Sequence, residues 1–124
     1  MTRTGRMAVA AIALAGLLTT AEGAQAHVLT KERAQKASQR GAERHCESDP
    51  YCDTFSATNC RRPAATGHRR LHRVRCDIFL GGTDPKGDWQ CTWVDEWSIR
   101  AGSNKLRWSQ AVYDETVDCH YLKA

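Results

Sequence analysis

Hydrophobic positions along the 124-residue chain follow three successive patterns: an unbroken run, a three- and four-residue spacing, and an alternation of period two. The run covers residues 7–18 without a charge, preceded by Arg3 and Arg6 and followed by small polar residues that end in Ala24-Gln25-Ala26. Basic, apolar and A-x-A segments in that order predict a secretory signal peptide over residues 1–26. Crossing a bilayer takes roughly 20 apolar residues, so the run is too short for an anchor and the mature chain is expected to hold no transmembrane segment. Cleavage after Ala26 leaves residues 27–124, the length of one small domain.

Helical spacing comes next. Thr30 is placed to cap a helix that runs to about Cys46, with Glu32 in the first turn, where the helix dipole favours an anion. Ala34, Ala37, Gly41, Ala42 and His45 fall on or near one face, and Lys31, Lys36, Arg40, Glu43 and Arg44 occupy the rest. A stripe of small residues buries little per residue but lets the helix sit close against a sheet. Ser48-Asp49-Pro50 ends it.

From Asp53 the period is two. Residues 54–61, 69–80, 88–100 and 104–114 read as strands, and the links 63–68, 81–87 and 101–104 hold the Gly, Pro, Asn and Asp residues that tolerate turn dihedrals. Short links make the four strands an antiparallel meander. Placing Leu80 opposite Trp89 sets Ile78 against Cys91 and Cys76 against Trp93. Placing Arg100 opposite Lys105 sets Ile99 against Leu106, Trp97 against Trp108 and Trp93 against Val112. Both hairpins give the same buried face on the third strand, and the inner face becomes Val74, Cys76, Ile78, Leu80, Trp89, Cys91, Trp93, Trp97, Ile99, Leu106, Trp108 and Val112. The fold class expected is α+β: one N-terminal helix packed on a four-stranded antiparallel β-meander, braced by disulfides.

The cysteines support that bracing. All six (Cys46, Cys52, Cys60, Cys76, Cys91 and Cys119) follow the predicted leader's A-x-A site, and an even count in a short exported chain suits an oxidising compartment. No C-x2-C or C-x4-C pair is present, so structural zinc is not expected, and neither is any other metal or cofactor. Six cysteines allow 15 pairings. The preferred set is Cys46 with Cys52 across the turn, Cys60 with Cys76 across the first hairpin, and Cys91 with Cys119 tying down the tail.

Charge is uneven along the chain. Arg61, Arg62, Arg69, Arg70, Arg73 and Arg75, with His68 and His72, crowd into residues 61–75 without one acidic side chain, and the formal net charge is +4. Such a hairpin is a candidate anion-binding site for an acidic envelope polymer, and the competing role is a solvated hairpin that blunts a sheet edge. Nucleic acid is disfavoured, because the tryptophans that would stack on bases lie on the buried face. The same register brings His72, Asp95 and Gln110 together beside Trp93, Trp97 and Trp108, either as a ligand or proton-transfer site or as a satisfied polar cluster. No H-E-x-x-H, Gly-rich phosphate loop or nucleophile elbow occurs, and no enzymatic activity is expected. Asp84 and Asp88 lack the full spacing of a calcium loop and read as a hairpin turn.

The stretches Leu29-Thr30-Lys31-Glu32-Arg33-Ala34, Asn59-Cys60-Arg61-Arg62 and His72-Arg73-Val74-Arg75-Cys76 resemble those of short secreted, cysteine-containing proteins of unknown function from high-GC actinobacteria. That resemblance implies an origin and a helix-plus-meander layout. The order of elements is also similar to cystatin-like and PepSY-like domains, although the cystatin Q-x-V-x-G loop is absent. The function expected is a secreted or envelope-associated, non-enzymatic binding module for an anionic ligand. The alternative is a secreted protease inhibitor that presents a rigid loop, 63–68 or 81–87, to a secreted protein.

Overall fold

Thr30 starts the first helix as expected: its hydroxyl accepts from the backbone N–H of Arg33 at 3.1 Å. In the computed structural model, which describes residues 28–64, 71–100 and 102–123, this helix is α1, Lys31–Glu47. The predicted signal peptide, Arg69 and Arg70 lie outside the described residues. After α1 come β1 (Cys52–Arg61), β2 (Arg73–Asp84), β3 (Gly87–Ile99), β4 (Leu106–Trp108), a short helix α2 (Gln110–Thr116) and β5 (Asp118–Tyr121). The strands form one antiparallel sheet in the order β1-β2-β3-β4, with β5 also pairing β3.

The helix buries Ala34, Ser38, Ala42 and Cys46, an unbroken series of four-residue steps. Ala34 and Ala42 were on the expected face, but Ser38 and Cys46 complete it in place of the other three: Ala37 and Gly41 are half-buried, and His45 is exposed. The stripe packs on Ala57, Val74, Cys76, Ile78, Leu80, Trp93 and Ile99. Each large aliphatic side chain removed from water there contributes roughly 1.5–3 kcal/mol. Leu29, fully buried just before the helix, plugs one end of this core. Its N–H donates to Leu71 O at 2.9 Å, and Arg62 donates to its carbonyl at 2.9 Å.

All three preferred disulfides form: Cys46–Cys52, Cys60–Cys76 and Cys91–Cys119. The second depends on a bulge. Thr58 faces Asp77 and Arg61 faces Arg75, so Asn59 and Cys60 together oppose Cys76. Asn59 takes a positive φ of 52°, a conformation that asparagine tolerates and branched residues do not. The extra residue turns Cys60 to the inner face, where strict alternation would have pointed it out. Closing loops of 6, 16 and 28 residues contributes about 2, 3 and 3.5 kcal/mol in the chain-entropy treatment.

Two expectations fail. Leu80 stands opposite Cys91, Ile78 opposite Trp93 and Cys76 opposite Asp95, two residues away from the expected register. The link expected over 81–87 is a two-residue turn, Pro85 and Lys86, closed by Asp84 opposite Gly87. Asp84 Oδ1 accepts the Lys86 N–H at 2.8 Å and holds this turn tight. A slip of two preserves which face each side chain takes, so the predicted inner face survives the wrong partners.

The fourth strand is also cut short. Trp97 meets Trp108 and Ile99 meets Leu106 as expected, but β4 stops at Trp108, and Val112 pairs with no strand. Ser109 caps α2 instead, its hydroxyl accepting from Val112 N–H at 3.2 Å. This helix fills the gap on the β3 edge between β5, which pairs residues 89–92, and β4, which pairs 97–99. Backbone groups left without a strand partner there are satisfied otherwise: Val94 N–H donates to Thr116 Oγ1 at 2.9 Å, and Ser109 N–H to Glu96 O at 3.0 Å.

Candidate functional site

Four of the six candidate anion-binding arginines fall among the described residues, and three of these are engaged within the fold. Arg61 pairs with Asp77 at 2.9 Å and Arg75 with Glu96 at 3.2 Å. Arg62 donates to Leu29 O and Arg73 O. Arg73 lies elsewhere in the pattern: it stands opposite Ser98, which stands opposite Arg107, so two arginines flank one serine in a row across β2, β3 and β4. Arg107 lines a shallow depression with Arg100, Ser103 and Lys105. None of the three ion pairs among the described residues uses these four cations.

His72 and Asp95 do not meet as expected. Val74, not His72, faces Trp97, and His72 lies beyond the last ladder pair, with its carbonyl accepting Ile99 N–H at 3.1 Å. Asp95 is the centre of a different cluster. It sits on β3, 5% exposed, under the middle of α1. Its Oδ1 accepts the indole N–H groups of Trp93 and Trp108, each at 2.9 Å, and its Oδ2 accepts the Ser38 hydroxyl at 2.8 Å. Ser38 Oγ in turn accepts the Trp97 indole at 2.7 Å. Three tryptophans are thereby held by one carboxylate and one hydroxyl.

Alternation puts Trp93, Asp95 and Trp97 on the same face of β3, and the β4 register adds Trp108 beside them. Ser38 reaches the cluster because it occupies the buried stripe of α1 between Ala34 and Ala42. Next to the cluster a cleft of about 420 Å3 opens between α1, β3, β4 and α2. Trp93, Trp97, Trp108 and Tyr113 line it, together with Asp95, His45, Gly41 and Gln110. The rings stand at steep angles: Tyr113 lies 5.4 Å from Trp93 at 75° and 5.4 Å from Trp108 at 48°, and His45 lies 5.5 Å from Trp93 at 69°. Trp108 is 40% exposed, so the cleft is open to solvent on that side.

Asp95 and the tryptophans were legible in the sequence as one face, and Gly41 as part of the helix face turned to it, but Ser38 and Tyr113 were not. The Ala34, Ser38, Ala42, Cys46 series was the signal for Ser38. Tyr113 was hidden by the strand assignment, which Ser109 three residues before Val112 would have corrected.

A second cleft of about 260 Å3 lies at the other end of β3, beside Trp89, Tyr51 and Tyr121. There the Tyr121 phenol donates to Asp84 Oδ2 at 2.6 Å. That bond holds the Asp84 carboxyl below its usual value and raises the Tyr121 phenol above its own. Of the two loops weighed as inhibitory, 63–68 lies largely outside the described residues, and Gly81, Gly82 and Asp84 belong to β2, which leaves Pro85 and Lys86 at a tight hairpin tip. Among the described residues no three His, Cys, Asp or Glu side chains come together as metal ligands, and no helix is long and apolar enough to cross a membrane.

The fold and its cross-links define a small, disulfide-stabilised α+β protein. Comparison with protein-family models, with curated proteins and with solved structures found no match.

Proposed function

We propose that the protein is an exported, non-enzymatic binding module that takes a small ligand in the cleft around Asp95. Gly41 carries this reading. A glycine within a helix loses about 0.5–1 kcal/mol relative to alanine, yet a Cβ built on Gly41 meets nothing within 4 Å. Packing does not require its missing side chain, and the residue lines the open cleft. The volume falls in the roughly 300–1,000 Å3 range of small-molecule sites. The walls are already fixed by the Ser38 and Asp95 hydrogen bonds, so little ordering remains for a ligand to impose. Those same bonds leave the buried polar groups satisfied by one another rather than poised for proton transfer, which supports binding over catalysis. Three disulfides in so short a chain support export.

A second reading is an anionic extracellular or envelope ligand held on the basic face, and the Arg73, Ser98, Arg107 row favours it. One screen separates the two. Organic acids, sugars and ammonium compounds are titrated into the 15N-labelled protein and into Gly41→Phe, designed to obstruct the cleft from its α1 wall. Probes that shift the Trp93, Trp97 and Trp108 indole signals in the parent protein alone support the cleft. Shifts confined to Arg73, Arg100 and Arg107, weakening steeply with salt, support the basic face. A screen that moves neither set overturns both.

A further inference from the structure

We infer that the group seated in this cleft is an alkylated ammonium, of the trimethylammonium type, with Asp95 as its counter-ion; the inference rests on the cleft being the ligand site. Asp95 is met by three hydrogen-bond donors and by no acceptor, which is the complement of an ionised carboxylate. None of the ion pairs among the described residues includes it. A negative charge thus lines the cleft with neutral partners only, and a buried charge ordinarily finds an opposite one. The aromatic walls add to the same sign of potential, because the face of an indole or phenol ring is negative.

The indole N–H groups, the positive edges of Trp93, Trp97 and Trp108, are all directed to Asp95 and Ser38. An anion entering the cleft finds those donors already used. A sugar, which needs several hydrogen-bond partners, is left with His45 and Gln110 among the lining side chains. A hard metal ion needs roughly six oxygen ligands, and the cleft supplies one carboxylate. A primary ammonium carries three N–H groups that each seek an acceptor, while Asp95 Oδ1 already takes two bonds. An alkylated ammonium asks for no acceptor. It needs a nearby negative charge and aromatic surface, and the cleft offers both.

Such a group belongs either to a free solute or to the head group of a zwitterionic lipid. Choline chloride is the probe, and 3,3-dimethylbutan-1-ol, of the same shape without the charge, is its control. Choline is expected to shift the three indole signals saturably, and the neutral alcohol to bind at least about tenfold more weakly. Asp95→Asn is expected to weaken choline at least about tenfold. Gly41→Phe, which leaves the carboxylate in place, is expected to abolish binding even if the Asp95 variant proves poorly folded. Sedimentation with phosphatidylcholine vesicles that choline competes away assigns the lipid source, and choline binding without vesicle binding assigns the free solute. Equal binding of the neutral alcohol, or no response to choline, overturns the inference. If a neutral or anionic probe still shifts the indoles, the cleft reading stands without it; if no probe does, both fall.

Discussion

Replacing Asp95 by alanine removes the acceptor of three hydrogen bonds at once, and the structure sets what that costs. The Trp93 indole and the Ser38 hydroxyl are buried, so both are left as donors without partners, whereas Trp108 is exposed enough to turn to water. Each orphaned buried donor costs about 1–3 kcal/mol, or about 2–6 kcal/mol for the pair. Water entering the open cleft recovers part of this, which places Asp95→Ala near 2–4 kcal/mol. Asp95→Asn is milder. Its amide oxygen still accepts both indoles, but its NH2 group faces Ser38 Oγ, whose own proton then loses its carboxylate acceptor, a loss of about 1–3 kcal/mol. Urea unfolding of the oxidised protein, followed by tryptophan emission, measures both. With a slope near 1 kcal/mol per molar, as expected for a chain of this size, the alanine variant moves the midpoint down by roughly 2–4 M. An unfolding free energy within about 0.5 kcal/mol of the parent protein refutes the view that this carboxylate organises the core. A Ser38→Ala, Asp95→Ala cycle adds a check, since residues of one network couple by about 0.5–3 kcal/mol.

Other consequences follow from single positions. Asn59→Val forces a branched residue into a positive φ and is expected to destabilise by about 1–3 kcal/mol, while Asn59→Gly, which loses only an exposed side-chain bond to Asp77, stays close to the parent in the same unfolding assay. A Cβ at Gly82 would collide with Tyr51 O, a backbone atom that cannot swing aside, so Gly82→Ala is expected to cost at least about 1–3 kcal/mol; Gly41→Ala, with open space around it, is expected to stabilise by about 0.5–1 kcal/mol. The Asp84 carboxyl is lowered by the Tyr121 phenol, so its contribution is complete above the usual value of 3.8 and disappears as pH falls through the lower folded value. The raised Tyr121 phenol contributes fully below 10.0 and ceases to as pH rises through its higher folded value. In an NMR titration, Tyr121→Phe should return Asp84 upward towards 3.8, and an unchanged curve would refute that assignment.

Local patterning was a good guide wherever the answer depended on parity or on one cap. Thr30 started α1, alternation chose the inner face, and the symmetric placing of Cys60 and Cys76 about the first hairpin anticipated their bond. The inner face withstood a register error because a slip of two residues leaves parity unchanged. Where a short segment had to choose between states, pattern failed. Residues 109–114 alternate well enough to be read as strand, yet Ser109 caps a helix there, and that helix takes the stretch of the β3 edge between the residues that pair β5 and those that pair β4.

The candidate site shows the same division. Sequence alone determined that three tryptophans and Asp95 share a face of one sheet, since strand periodicity requires it, and that the cysteines would brace a chain too short to rely on its core. It also marked the arginines as a group. Only the tertiary structure decided which partners each would have. Asp95 was expected beside His72 and instead binds Ser38, which arrives from α1, 57 residues earlier in the chain. Arg61 and Arg75 found carboxylates on adjacent positions of the sheet, and Arg73 came to stand across Ser98 from Arg107. The physical reason is that the face of a strand is set by its own backbone, whereas a hydrogen bond or a cleft is set by the register and packing of several elements together. A slip of two residues leaves the first untouched and rewrites the second.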